Sequence, residues 1–321
     1  MNHVEISPDG RAQKMGNNFH LIRYVLAALV LYSHSYGLLN LPEPGIFKYS
    51  FGSFAVKCFF AISGYLITLS CIRSNHLGRF FLNRALRILP ALLVALAIGN
   101  FLSNGFNNFI NNPVPYILNG PVWTLPWEML CYGLCGLLWW FGGLNKNTLG
   151  SVVIVSWLIF IMPNAGNTSA VVAPLFLLFF MGSLIALNEK QFAIGLAGPV
   201  FLVLLIGIVF DTKLICITWF FSKIPFLYGP VFPEQNYYMF MFIFCLPFVL
   251  IWLSVYFKPI FNLRNDYSYG LYIYGWPIQQ VIISIFAPSP LLLFASSLAL
   301  THFLAMFSWH LVEKRVLMLK L

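Results

Sequence analysis

Charge is scarce in this chain: Asp, Glu, Lys and Arg make up 8% of its 321 residues, while hydrophobic residues make up 60%. A soluble globular domain carries about 25% charged residues, so that class is excluded, and a mean hydropathy of +0.83 places the chain among integral membrane proteins. Strict apolar and polar alternation is also missing, which argues against a closed β-barrel. No basic run is interleaved with aromatics, so no nucleic-acid partner is expected. Cysteine is sparse, and Cys58, Cys71, Cys131, Cys135, Cys216 and Cys245 all fall in apolar stretches. They read as packing residues and not as a disulfide framework. Cys131 and Cys135 lie one helical turn apart, but no histidine or acid completes metal-ligand spacing, and no metal is expected. Internal repeats, low-complexity tracts and linkers are absent too. One domain is the economical reading, and folds built from duplicated transporter halves are disfavoured.

What the chain does have is long apolar runs. They predict an all-α membrane bundle of about ten spans, at 19–39, 51–72, 88–103, 121–142, 148–163, 171–188, 193–210, 236–257, 267–287 and 291–312. Residues 1–18 are polar and read as an N-terminal segment. The first apolar run is too long for a removable signal peptide and lacks a small-residue cleavage site, so it is expected to be retained. An apolar patch at 214–221, too short to cross, reads as interfacial or re-entrant.

Charge sidedness agrees with ten spans. With the N-terminus inside, Arg11, Lys14, Arg73, Arg79, Arg84, Arg87, Lys146, Lys190, Lys258, Arg264, Lys314, Arg315 and Lys320 are cytoplasmic. Only Lys48, Lys213 and Lys223 are outside, and Arg23 and Lys57 fall within spans. That asymmetry is the positive-inside pattern and places both termini in the cytoplasm. The net charge of +9 is explained by this topology and by anionic lipid headgroups.

Three groups of polar residues stand out. His34 lies in the first span, eleven positions after Arg23; on a helix the two share a face about 16 Å apart. An ionisable side chain at membrane depth costs about 2.5 to 3.5 kcal/mol and defaults to a functional reading; the alternative is a histidine hydrogen-bonded to a neighbouring helix. Glu128 is the one acid expected inside a span, in Trp123-Thr-Leu-Pro-Trp-Glu128. It stands at a depth where it could meet His34, or it neutralises Arg23 or Lys57 structurally. Trp123 and Trp127 read either as interfacial anchors or as flat surfaces for a sugar ring. On the cytoplasmic side, Arg84 and Arg87 at i, i+3 present two guanidinium forks. They suit a phosphate or pyrophosphate, or serve as ordinary anchors.

Six short segments together resemble the acyltransferase 3 family of bacterial membrane O-acyltransferases. They are Asn18-Phe-His-Leu-Ile-Arg23 with Ser33-His34-Ser35, Phe59-Phe-Ala-Ile-Ser-Gly-Tyr-Leu-Ile67, Arg84-Ala-Leu-Arg87-Ile-Leu-Pro90, Trp123-Thr-Leu-Pro-Trp-Glu128, Ser268-Tyr-Gly-Leu-Tyr-Ile-Tyr274 and Ser308-Trp-His-Leu-Val-Glu-Lys314. The resemblance covers nearly the whole chain and implies a membrane acyltransferase domain over 19–321. It implies that His34 is catalytic beside Arg23, that Arg84 and Arg87 serve an acyl-coenzyme A co-substrate, and that Glu128 is the acid after the Trp-Thr-Leu motif. The implied activity is transfer of an acyl group, acetyl foremost, to a hydroxyl of a cell-surface or lipid-linked carbohydrate at the bacterial inner membrane.

Three positions depart from the family pattern: Lys57 where many relatives have an acid, Gly275 where they often have histidine, and Arg315 in place of proline. The mechanism expected from this reading has neutral His34 accepting the proton of the attacking hydroxyl, with Glu128 orienting it. A two-step route through an acylated His34 stays open. The rival reading is a transporter or flippase of a lipid-linked glycan.

Overall fold

The computed structural model describes residues 4–6, 12–14, 18–46, 49–74, 76–161, 167–188, 195, 197–202, 234–257, 263 and 265–318. Its architecture is helical: α1 (Phe19–Gly37), α2 (Phe51–Arg73), α3 (Leu77–Gly105), α4 (Leu125–Trp140), α5 (Lys146–Ile161), α6 (Asn167–Leu187), α7 (Glu234–Val255), α8 (Ser268–Ile285) and α9 (Pro290–Ser308). After α9 a π-turn at Trp309–Glu313 leads into a last turn, α10 (Lys314–Leu317). Strands among the described residues are confined to two antiparallel pairs. In the first, β1 (Val4–Ile6) lies against β2 (Ala12–Lys14); in the second, β3 (Gly45–Ile46) lies against β4 (Tyr49–Ser50), between α1 and α2.

The seventh expected span and the 214–221 patch fall largely or wholly outside the described residues; each of the other nine spans has a helix in its place. The largest difference is α3, which starts at Leu77, well before the apolar run that suggested a start at residue 88. Its first turns carry Arg79, Arg84 and Arg87, and arginine, leucine and alanine propagate a helix as readily as an apolar run does. The α4 region is shorter than expected because a 3-10 turn at Gly120–Thr124 precedes it and Pro126 sits in its first turn, where no intrahelical N–H is needed.

Among the described residues three helical stretches are long and apolar enough to cross a membrane: Phe51–Arg73, Leu77–Gly105 and Pro290–Leu317. Within them α2 is central, its apolar window 61% buried, while α3 and the α9 stretch are peripheral at 22% and 28%. The outward faces carry exposed apolar side chains such as Leu93, Phe101, Leu291 and Phe303, as an all-α membrane protein requires.

Small residues set the close crossings. A Cβ added at Gly64 of α2 would stand 1.8 Å from the Phe179 carbonyl oxygen of α6, and one at Gly182 would stand 2.1 Å from the Ala61 oxygen. Only hydrogen fits at either place, so backbones meet where side chains elsewhere hold helices apart. Two polar clamps then fix α1. Asn18 donates from Nδ2 to the Leu253 and Phe257 oxygens (3.1 and 2.8 Å), satisfying carbonyls at the end of α7. Gln279 of α8 donates to the oxygen of Leu31 (2.9 Å), one turn before His34, and to Oγ of Ser35 (2.7 Å), the residue after it.

Candidate active site

Near the start of α1, three elements converge on one carboxylate. Asp266 Oδ2 accepts from Arg23 Nη1 and from Arg87 Nη2, each at 2.5 Å, and its Oδ1 accepts from the Ser268 backbone N–H (3.2 Å) and from the Ser268 hydroxyl. Burial alone would raise the Asp266 pKa, but the two guanidinium groups outweigh it and hold the carboxyl well below the usual range. Arg87 also reaches Glu313 Oε2 at 3.7 Å and lies 5.3 Å from the Trp309 ring centroid. The π-turn after α9 explains that pair: it presents Trp309 and Glu313, at opposite ends of one widened turn, to the same guanidinium.

Next along the bundle lies a small cavity of about 40 Å³, lined by Arg23, Thr124, Glu128, Tyr269 and Tyr272 among others. Glu128 Oε1 accepts from Ser63 Oγ of α2 (2.9 Å) and from Tyr132 Oη, one turn further along α4 (2.5 Å). Tyr272 Oη pairs with Thr124 Oγ1 (2.8 Å) and lies in hydrogen-bonding reach of the Pro121 oxygen (2.9 Å), which locks the 3-10 turn in front of α4 against α8.

A larger cavity of about 200 Å³ adjoins it, sharing Val56 and Tyr272 as wall residues. His34 lines this one, together with Glu43, Ser53, Lys57 and Trp123. The imidazole is braced edge-on by Trp276 (ring centroids 5.1 Å apart, 84°), and the Trp276 Nε1–H is tied to the Ile117 oxygen at 3.0 Å. Among the described residues neither imidazole nitrogen has a hydrogen-bond partner. Glu43 arrives from the turn after α1. It is flanked by Pro42 and Pro44 and folds back so that its carboxylate accepts from Ser33 Oγ. A Cβ on Gly37 would stand 2.7 Å from Glu43 Oε1, so the carboxylate packs directly on glycine.

A family model described as "Acyltransferase domain" matches residues 17–310. The chain belongs to the acyltransferase 3 family. This acyltransferase is 31% identical over 346 aligned residues to a protein called O-acetyl transferase from Shigella phage Sf6, covering 94% of this chain and 96% of the relative. It is 26% identical over 358 residues to nodulation protein 10 of Rhizobium leguminosarum bv. viciae, covering 95% and 94%. No solved structure matches. Family membership and the phage relative together make the chain an enzyme, an O-acetyltransferase.

The acyltransferase arranges the expected residues differently from the sequence reading in three respects. His34 and Glu128 do not share a cavity: the carboxylate beside His34 is Glu43, while Glu128 faces the Arg23 side. Nor does Glu128 make an ion pair; the described pairs are Arg23 and Arg87 with Asp266, and Arg87 with Glu313. Arg84 and Arg87 part company as well. Arg87 is held by acids, whereas Arg84 touches Ser70 Oγ at 3.5 Å and has no acid within ion-pair distance among the described residues. Of the two tryptophans, Trp123 lines the His34 cavity and Trp127 packs on Phe176 instead.

Sequence reasoning missed Glu43 and Asp266, both assigned to loops. The Pro-Glu-Pro frame around Glu43 was a usable signal for the first, and the position of Asp266 just before the Ser268-Tyr-Gly segment was one for the second. At Gly275 a Cβ would lie 2.6 Å from Leu31 Cδ1, so a larger residue there requires the Leu31 side chain to move.

Proposed function

We propose that the enzyme moves an acetyl group from acetyl-coenzyme A to a hydroxyl of a cell-surface or lipid-linked carbohydrate, such as an O-antigen or exopolysaccharide unit, in the bacterial inner membrane. It would cross the bilayer ten times with both termini cytoplasmic, as the lysine and arginine distribution supports. In that orientation Asp266 and its arginines lie towards the cytoplasm and the His34 cavity towards the outside.

The observation that carries the reading is an imidazole without a hydrogen bond among the described residues, lining a cavity that abuts a second one leading towards Arg23. We assign the donor's phosphates to Arg84, whose guanidinium has no acid partner among the described residues, and its acyl arm to the path past Tyr272 and Val56. Arg23 and Arg87 serve the donor indirectly, by shaping the wall that Asp266 ties together. Neutral His34 takes the acceptor's proton as its oxygen attacks the thioester carbon, and Trp123, half-exposed at the cavity, offers a flat face to the sugar. Glu128 holds Ser63 and Tyr132 in place along the path.

The test is mass spectrometry of surface glycans from cells with and without the gene, complemented with wild type or His34→Ala. The expected result is one acetyl group gained per acceptor unit with the wild-type gene and none with His34→Ala at equal protein level. Glycans of equal mass in all strains would refute transfer and favour transport of a lipid-linked glycan.

A further inference from the structure

Lys57 is the residue that the reading above leaves without a task. It sits on α2, 6% exposed, on the wall of the His34 cavity. Its ammonium donates to Ser53 Oγ (2.8 Å) and rests 3.8 Å from the Tyr49 ring centroid. No carboxylate lies within ion-pair distance of it among the described residues. The Tyr49 hydroxyl beside it is buried without a partner. A buried cation left with one hydroxyl and one ring face is costly, and such a charge at membrane depth is a functional hypothesis by default.

Ser53 stands one helical turn before Lys57 and lines the same cavity. Its oxygen receives the ammonium, which leaves its own hydroxyl hydrogen to donate. The cavity therefore holds a base on α1 and, on α2, two donors for an oxygen that becomes negative.

The geometry points to Lys57, assisted by Ser53, as the oxyanion-stabilising catalytic residue of the acetyl transfer, a role that rests on the transfer reading above. The acceptor oxygen forms its bond to the thioester carbonyl carbon while its proton passes to His34. The carbonyl π pair moves onto oxygen, facing the Lys57 ammonium and the Ser53 hydroxyl. Return of that pair restores C=O and breaks the C–S bond, and the leaving thiolate of coenzyme A takes the proton back from His34. The products are the acetyl ester and free coenzyme A.

The experiment compares wild type, Lys57→Met, Lys57→Arg and Ser53→Ala, reconstituted in lipid nanodiscs, with radiolabelled acetyl-coenzyme A as donor and the glycan fraction of gene-deleted cells as acceptor. Lys57→Met is expected to lower kcat about 10²- to 10³-fold, as loss of an oxyanion donor does, with both KM values within about threefold of wild type. Lys57→Arg should recover part of the loss, and Ser53→Ala should lose about tenfold. The melting temperature of Lys57→Met should be no lower than that of wild type, because a neutral chain replaces an unpaired buried charge; a lysine with a merely structural role would lower it. Near-normal kcat in Lys57→Met would overturn the assignment, as would an intact kcat with a raised acceptor KM, which would make Lys57 a binder of an anionic acceptor group. No labelling by wild type would overturn the transfer reading itself and the Lys57 role with it.

Discussion

The Asp266 cluster and the His34 cavity handle buried charge in opposite ways. At Asp266 nearly every group is answered: two guanidinium ions and the Ser268 backbone and hydroxyl share one carboxylate. Around His34 the ionisable groups are held apart. Lys57 has a hydroxyl and a ring face, Glu43 has the Ser33 hydroxyl, and the imidazole has the edge of an indole. Matched charges fix helices to one another and are costly to break, whereas unmatched ones keep their interaction free for a reacting molecule. On the proposed reading, chemistry lies on one side of Tyr272 and anchorage on the other.

Asp266→Asn attacks the anchored region most severely. It leaves two part-buried guanidinium groups without their shared, buried carboxylate, an expected loss of about 3 kcal/mol, readable by thermal unfolding in detergent. The pH dependence of that difference follows from the lowered pKa. Asp266 stays ionised in the folded protein well below the unfolded value of about 3.9, so its contribution is complete above that value and is lost only as pH falls through the folded pKa. Measured in a Glu313→Gln background, which removes the neighbouring carboxyl that Arg87 also meets, the gap in stability between Asp266 and Asp266→Asn should therefore stay constant from about pH 8 to pH 5. A gap that closes as pH falls through 6 would mean the carboxyl is not held by its arginines.

A smaller effect is expected at the α2–α6 crossing. Gly64→Ala forces a methyl onto a backbone oxygen and should cost about 1 to 3 kcal/mol. Gly133→Ala, where nothing lies within 4 Å of the added carbon, should stay within about 0.5 kcal/mol of wild type. Equal losses at the two sites would show that the crossing is not as close as described. Glu128→Gln sharpens the boundary between the regions. The amide oxygen can still accept from Ser63 and Tyr132, so acetyl transfer should fall by no more than about tenfold. A loss as large as that of His34→Ala would return Glu128 to the reacting centre.

How much of this was legible in the sequence depended on how local the signal was. Spans such as α1 and α2 follow from continuous apolar runs, and their ends agree with the helices to within two residues. The start of α3 was not legible because a helix can outrun the apolar stretch it contains, and charged residues do not end it. Within the site, His34 and Arg23 were visible because ionisable groups are rare in such runs. The partnership of His34 with Glu128 was inferred from similar depth alone, and depth fixes only one of three coordinates. Glu43 was passed over because a loop acid looks solvated until the chain is seen folding it back over Gly37. Asp266 was passed over for the same reason, although the two arginines it joins, eleven positions from His34 and three from Arg84, had both been noticed.

The most direct test of the central claim is the turnover of purified His34→Ala in nanodiscs, measured with and without added imidazole. If His34 is the proton acceptor of the transfer, turnover falls by about 10²- to 10⁴-fold and imidazole, small enough for a cavity of about 200 Å³, restores part of it. Turnover within about twofold of wild type in the absence of imidazole would contradict the account.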